Sequence, residues 1–262
     1  LRNIWLHCCL KLKSGISEKS TMSVVKDITI LAVTKMHGGV CTAGIDSASH
    51  WVRPVRAAVA RPWNHDAITD HCLLPVDFFH GGRSHLVNLG VTRFWLTAHD
   101  PEPPHTEDWV IDTHRKPHFL HKLSEAEQEK FLAAYVHNNL DLLQPVAHHS
   151  LGLFLPESCL FTFSQNKTGE DVVVRASFTV AGQQVHDVGC TDLRLRALGR
   201  KLLEKSHGAT CTLSDADFHR HGKRATYLAV GLSRLFHGKH WLLVVGVHTI
   251  PELEVQVDYA RL

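Results

Sequence analysis

The chain has 262 residues, 44% of them hydrophobic and 21% charged, and 28 Lys plus Arg against 26 Asp plus Glu leave a formal net charge of +2. That balance excludes a disordered chain, and it provides no global positive field that would hold polyanions indiscriminately. The seven cysteines fall at irregular spacings with no C-x-x-C pair, which argues against a secreted disulfide framework or a thiolate zinc site and favours a reducing cytoplasm.

The first segment, Leu1–Leu12, imitates a signal peptide only faintly, because His7 interrupts its apolar run and no small-residue cleavage site follows. Residues 1–22 are therefore expected to be a disordered or non-native extension, with regular structure starting near Met22. No apolar run approaches the roughly 18–20 residues that span a bilayer, so no membrane partner is expected.

A first β-rich unit is expected over residues 23–99. Ile28–Met36 is rich in β-branched residues and ends at the turn signal His37-Gly38-Gly39. Val40–Asp46 resumes as a strand, Ser47–Ser49 breaks it, and His50–Arg56 reads as a third extended segment, with Pro54 placing its end at an edge or bulge. Apolar segments follow at Cys72–Phe79 and Val91–Thr97.

Residues 100–150 read as an acidic connector. Its opening, DPEPPHTEDW, is too Pro-rich to be helical. Ser124 and Glu127 then form a capping-box pattern that predicts a helix over Glu125–His137, with acids in the first turn where the helix dipole favours them.

Residues 151–262 read as a second β-rich unit. Leu160–Gln165, Val172–Val180 and Gln183–Val188 are strands, Leu193–Lys205 is an amphipathic helix with Asp192 as its cap, and Tyr227–Phe236 and Trp241–His248 are two further strands. This β-β-β-α-β-β order fits a five-stranded Greek-key barrel of the OB type, although other small barrels and α+β folds share it. The predicted fold class is thus β-rich with a few helices: two OB-like barrels joined by a mixed loop and helix segment.

The run Cys41-x-Ala43-Gly44-Ile45-Asp46, followed by Trp51-x-Arg53-Pro54-Val55, resembles the opening of a bacterial family described as dual OB-containing proteins. Glu107-Asp108-Trp109, Tyr227-Leu228-x-Val230-Gly231-Leu232 and Trp241–Val247 are similar to that family's middle and C-terminal segments, so the resemblance covers roughly Val25 to Pro251. It implies two fused OB units and a role in binding nucleic acid or nucleotide.

The residues point the same way. Single-stranded nucleic acid is held by cations along its phosphates and by aromatic faces on which bases stack. Lys35, Trp51, Arg53, Arg56, Arg61 and Trp63 offer that combination, with Trp51 and Arg53 on one face of an extended segment. The competing reading makes Trp51 core and Arg53 its salt-bridge partner. A second basic stretch, Arg194, Arg196, Arg200, Lys201 and Lys205, is either a phosphate-docking stripe or the polar face of its helix.

Other constellations are weaker. Pro117 disrupts the helix that would align His114 with His118 and His121; His65, Asp66, Asp70 and His71 form another loose set, and His219 and His221 flank a cation. A Cys41–His37 pair reads more simply as a packed strand cysteine. No nucleophile elbow, phosphate loop or dinucleotide fingerprint is present. The expectation is a non-catalytic binder of DNA, RNA or nucleotide with no metal or cofactor. The alternatives are a metal-dependent nuclease using Asp215, Asp217 and His219, and a protein-interaction module with a protein partner.

Overall fold

The structure, a computed structural model, describes residues 23–36, 38–57, 71–144, 149–169, 171–206 and 209–259.

The first unit is built around β1 (Val24–Met36), whose apolar run is buried from Ile28 to Thr34. It pairs antiparallel with β2 (Gly39–Asp46), with a register shift between Ile30 and Ala32 that bends the strand. β3 (Trp51–Val55) follows β2, and a short helix α1 (Pro75–Phe78) drives Phe78 into the barrel core. After the small β4–β5 hairpin (Phe79–His80, Arg83–Ser84) come β6 (Gly90–His99) and β7 (Asp108–Ile111). The strand order β1-β2-β3-β7-β6 closes through a β1–β6 pairing, and β3 lies parallel to β7. This is the closed five-stranded Greek key of an OB fold. A further strand, β8 (His118–Lys122), pairs with β6. The strands of this sheet therefore extend to Lys122.

The capping box forms as the sequence predicts: Ser124 N–H donates to Glu127 at 2.8 Å and opens α2 (Glu125–Ala134), which stops three residues short of His137. A 3-10 turn (Leu140–Leu143) leads to the second unit.

That unit comprises β9 (Leu151–Phe154), β10 (Ser158–Gln165), β11 (Val172–Val180), β12 (Gln183–Cys190), α3 (Leu193–Ser206), β13 (Thr210–Ser214), α4 (Asp215–Arg220), β14 (Ala225–Leu232) and β15 (Leu242–Ile250). Its order β10-β11-β12-β15-β14 repeats that of the first unit, with β12 again parallel to β15. Here β13 occupies the free edge of β10 and β9 that of β14, so the five OB-type strands lie within a seven-stranded sheet. Asp192 accepts the Leu195 amide at 2.8 Å and caps α3, while the missing side chain of Gly199 lets the helix lie on Phe163.

The two units meet along β1 and β15. A Cβ on Gly246 would stand 2.0 Å from the Leu31 carbonyl oxygen, so only glycine permits this approach. His248 bonds the same carbonyl at 2.8 Å. Leu31, Ile45 and Leu89 from one unit pack with Leu153, Tyr227, Ala229 and Ile250 from the other, forming a continuous apolar seam.

Candidate nucleic-acid interface

The residues singled out in the sequence do not converge on one outward face. Trp51 and Arg53 do share a side of β3, but that side is turned inward. Trp51 is half-buried against Ala32, Ala43, Leu151 and Val245, in the seam. Arg53 is buried, with Nε 2.6 Å from Asp108 and a terminal nitrogen 3.1 Å from Glu107. Those acids belong to the segment read from the sequence as an acidic connector; the parallel register of β3 with β7 sets Asp108 beside Arg53. Arg56 pairs at 3.3 Å with Asp77, which also accepts the Leu74 amide at the start of α1. Lys35 reaches Asp171 of the second unit at 2.7 Å. Arg61 and Trp63 lie outside the described residues, as do His37, His65, Asp66 and Asp70.

The Arg53 network continues across the seam. Arg234, just beyond β14, bonds the second oxygen of Asp108, and Ser150 donates to Glu107. His105 sits beside them at 2% exposure, with neither ring nitrogen in a well-formed hydrogen bond. Burial, reinforced by the charges of Arg53 and Arg234, pushes this imidazole down to about 2, so it is neutral. Its ring meets that of His240, from the β14–β15 connection, at 5.4 Å. Two cations and two acids thus balance in the interior, and Arg53 has its charge satisfied within the chain.

The exposed aromatic and basic groups lie instead on the β14–β15 hairpin, Arg234-Leu235-Phe236-His237-Gly238-Lys239-His240-Trp241. His237 and Gly238 form its tip with φ of 51° and 77°, the geometry of a tight two-residue turn. Phe236 and Lys239 bridge across it, the Trp241 amide donates to Ser233 Oγ at 2.8 Å, and the indole N–H donates to the Phe236 carbonyl at 3.0 Å. These bonds fix the turn and the indole, and the turn's apolar side chains are exposed: Leu235 by 59%, Phe236 by 49% and Trp241 by 41%. Lys239 Nζ lies 3.6 Å from the indole centroid, and the His237 ring lies 4.1 Å from that of Phe236. At the root, Arg234 ties the hairpin to Asp108 of the first unit. The sequence reading used this segment only as two strands and a turn; its alternation of aromatic and basic residues was the available signal.

The outer face of β10–β11–β12 beside it is uncharged in character. It presents Thr162, Ser177, Thr179 and Gln184, and its single arginine, Arg175, pairs with Asp187 at 3.0 Å.

Of the residues considered for a nuclease, Asp217 is otherwise engaged. Asp217 accepts from both the amide and the hydroxyl of Ser214 at 2.7 Å, closing the capping box of α4, and Arg220 bonds its other oxygen. The Ser214 bonds hold its carboxyl below the usual range. His114 lies in a turn and His118 begins β8, so they share no helix. Among the described residues no cluster of three His, Cys, Asp or Glu is arranged to hold a metal ion, and no helix is long and apolar enough to cross a membrane.

A closed barrel followed by a second sheet with the same strand order defines a tandem OB-fold protein. The model of the dual OB-containing domain family matches residues 26–247, and the chain belongs to that family. No curated protein matches it.

Proposed function

We propose that this protein binds nucleic acid, single-stranded or locally unpaired, through the β14–β15 hairpin, and does so without catalysing a reaction or carrying a cofactor. The observation that carries this reading is the set of exposed aromatic rings on one turn, Trp241 beside the Lys239 ammonium and Phe236 beside the His237 ring. Unstacked bases supply flat partners for both rings, and each stack contributes about 1–3 kcal/mol. A duplex hides its base faces, which makes unpaired strands the favoured ligand. In OB folds the loop between the last two strands borders the ligand groove, and this hairpin occupies that position. Four free cysteines among the described residues, Cys41, Cys159, Cys190 and Cys211, support a reducing, cytoplasmic setting.

The test is indole quenching by oligothymidylate across a salt series. Affinity is expected to fall as salt rises, with a shallow slope because few cations line the tip. Trp241→Ala should weaken binding about 10- to 100-fold, in line with one stack. Absence of binding at low salt, or an unchanged Phe236→Ala/Trp241→Ala double variant, would overturn the assignment. The exposure of Leu235 beside Phe236 favours one rival, a hairpin that docks on a protein. In that case oligonucleotides fail to bind and a protein co-purifies after nuclease treatment, lost in Leu235→Ser.

A further inference from the structure

Away from the hairpin, the two basic stretches of the sequence meet. Lys35, at the end of β1, and Arg196 and Arg200, one turn apart on α3, all point at the carboxylate of Asp171 in the β10–β11 turn. Asp171 Oδ2 accepts from Lys35 Nζ at 2.7 Å and from Arg196 at 2.6 Å, while Oδ1 faces Arg200 at 3.5 Å and accepts the Val172 amide at 2.8 Å. The two guanidiniums share this one carboxylate with Lys35, and Arg200 is held beyond hydrogen-bond distance of it. Arg196 also keeps a buried Nε–H with no acceptor. Three cations thus converge on one carboxylate, which holds Arg200 only loosely and leaves the Arg196 Nε–H without an acceptor.

We propose that this cluster of cations binds a phosphate group carrying two negative charges, with Asp171 as a built-in competitor that an incoming phosphate displaces. The charge count selects the class of ligand. An internal phosphodiester carries one charge, so exchanging it for the carboxylate gains no net attraction. A terminal phosphate or a pyrophosphate carries more charge and offers three oxygens in place of two, enough for Lys35, both guanidiniums and the stranded Nε–H. Asp171 follows Gly169, which has φ 75°, and its carboxylate is a quarter exposed, so it can swing outward at the cost of its bond to the Val172 amide at the start of β11. Because Lys35 belongs to the first unit and the arginines to the second, the phosphate would sit on the seam.

The experiment is calorimetric titration of the full chain with inorganic pyrophosphate at low salt, beside Asp171→Asn and Arg200→Gln. Asp171→Asn removes the competing charge and is expected to tighten pyrophosphate binding by about tenfold or more, while Arg200→Gln should weaken it by a similar factor. Arg200→Gln breaks only the loosest contact, so its fold is retained, and circular dichroism verifies this for both variants. Failure of both the natural chain and Asp171→Asn to bind pyrophosphate overturns the site. Equal affinity in all three proteins does so as well. Pyrophosphate has no base to stack, so its binding is judged apart from the hairpin's. A second arm compares oligothymidylate with and without a 5′-phosphate. A gain from the 5′-phosphate that Arg200→Gln abolishes identifies the terminus of a strand as the source, whereas pyrophosphate binding with no such gain identifies a free polyphosphate or nucleotide.

Discussion

Acid should unfold this protein through two buried imidazoles. His105 and His248 are both held neutral, at about 2 and about 3 against an ordinary value of 6.5. For His248 burial is the main cause and the Arg194 charge adds to it; its Nε2 donates to the Leu31 carbonyl, while Nδ1 faces Arg194 at 3.3 Å. The folded state takes up no proton on either ring at moderately acid pH, but the unfolded chain does so below about 6.5. Stability is therefore complete above that value and is lost as the pH falls. Lowering the pH from about 7.5 to about 5 costs roughly 2 kcal/mol per ring, or about 4 kcal/mol for the pair, a large part of an ordinary domain's stability. This figure does not depend on how far below 5 the folded-state values lie. Urea unfolding followed by tryptophan fluorescence at the two pH values measures it. His105→Leu separates the contributions: with no well-formed bond to lose, it should be nearly neutral at about pH 7.5 and should cut the acid loss by about 2 kcal/mol. An unchanged acid loss in His105→Leu, or a loss under about 1 kcal/mol in the natural protein, would refute the reasoning.

Arg53→Met leaves Glu107 and Asp108 buried with a cation removed; urea titration should register a loss of about 3–5 kcal/mol, with the salt slope of oligonucleotide binding unchanged because Arg53 faces inward. Gly246→Ala sets a Cβ 2.0 Å from the Leu31 carbonyl oxygen and must part β15 from β1, so limited proteolysis should cut the seam segments in the variant and spare them in the parent.

Much of the fold is legible in the sequence because its strands alternate cleanly. β11 runs from Val172 to Val180 as its apolar residues dictate, and the leucines of α3 give its helical period. β7 and β13 escape notice for physical reasons. β7 has four residues and begins with an acid, and β13 is an edge strand whose alternation is carried by Cys211 and Leu213 alone, so each is too short to stand out. The site fails at a different level. Alternation rightly groups Trp51 with Arg53, yet nothing local says which unit covers their shared side. Glu107 and Asp108 look like surface acids until the parallel pairing of β3 with β7 places them against the guanidinium. The hairpin is the opposite case. Aromatic and basic residues alternate openly around His237-Gly238, and its exposure follows from a two-residue turn that projects beyond the sheet.

The way the units pack explains why the hairpin, and not β3, is left free. Corresponding loops meet: the β1–β2 end touches the β10–β11 turn through Lys35 and Asp171, and the β6–β7 loop touches the β14–β15 hairpin through His105 and His240. Packing like parts side by side lays the β1–β2–β3 face of the first barrel on the second unit, with Ala32, Ala43 and Trp51 against Leu151 and Val245. The first unit thereby gives up the face on which an OB fold ordinarily holds a strand. The second unit keeps its outer face, and its hairpin gains an anchor in Asp108 that no single barrel could provide. The first barrel then acts as a brace for the second, because stacking platforms bind well only when their rings are fixed before the ligand arrives. On this argument Asp108→Asn, which keeps the shape of the anchor but weakens its hold on Arg234, should loosen the hairpin and reduce oligonucleotide affinity although Asp108 touches no ligand. Hydrogen exchange at the Phe236 and Lys239 amides, faster in the variant than in the parent, is the measurement that links the two effects; unaltered exchange with reduced affinity would mean that Asp108 acts by another route.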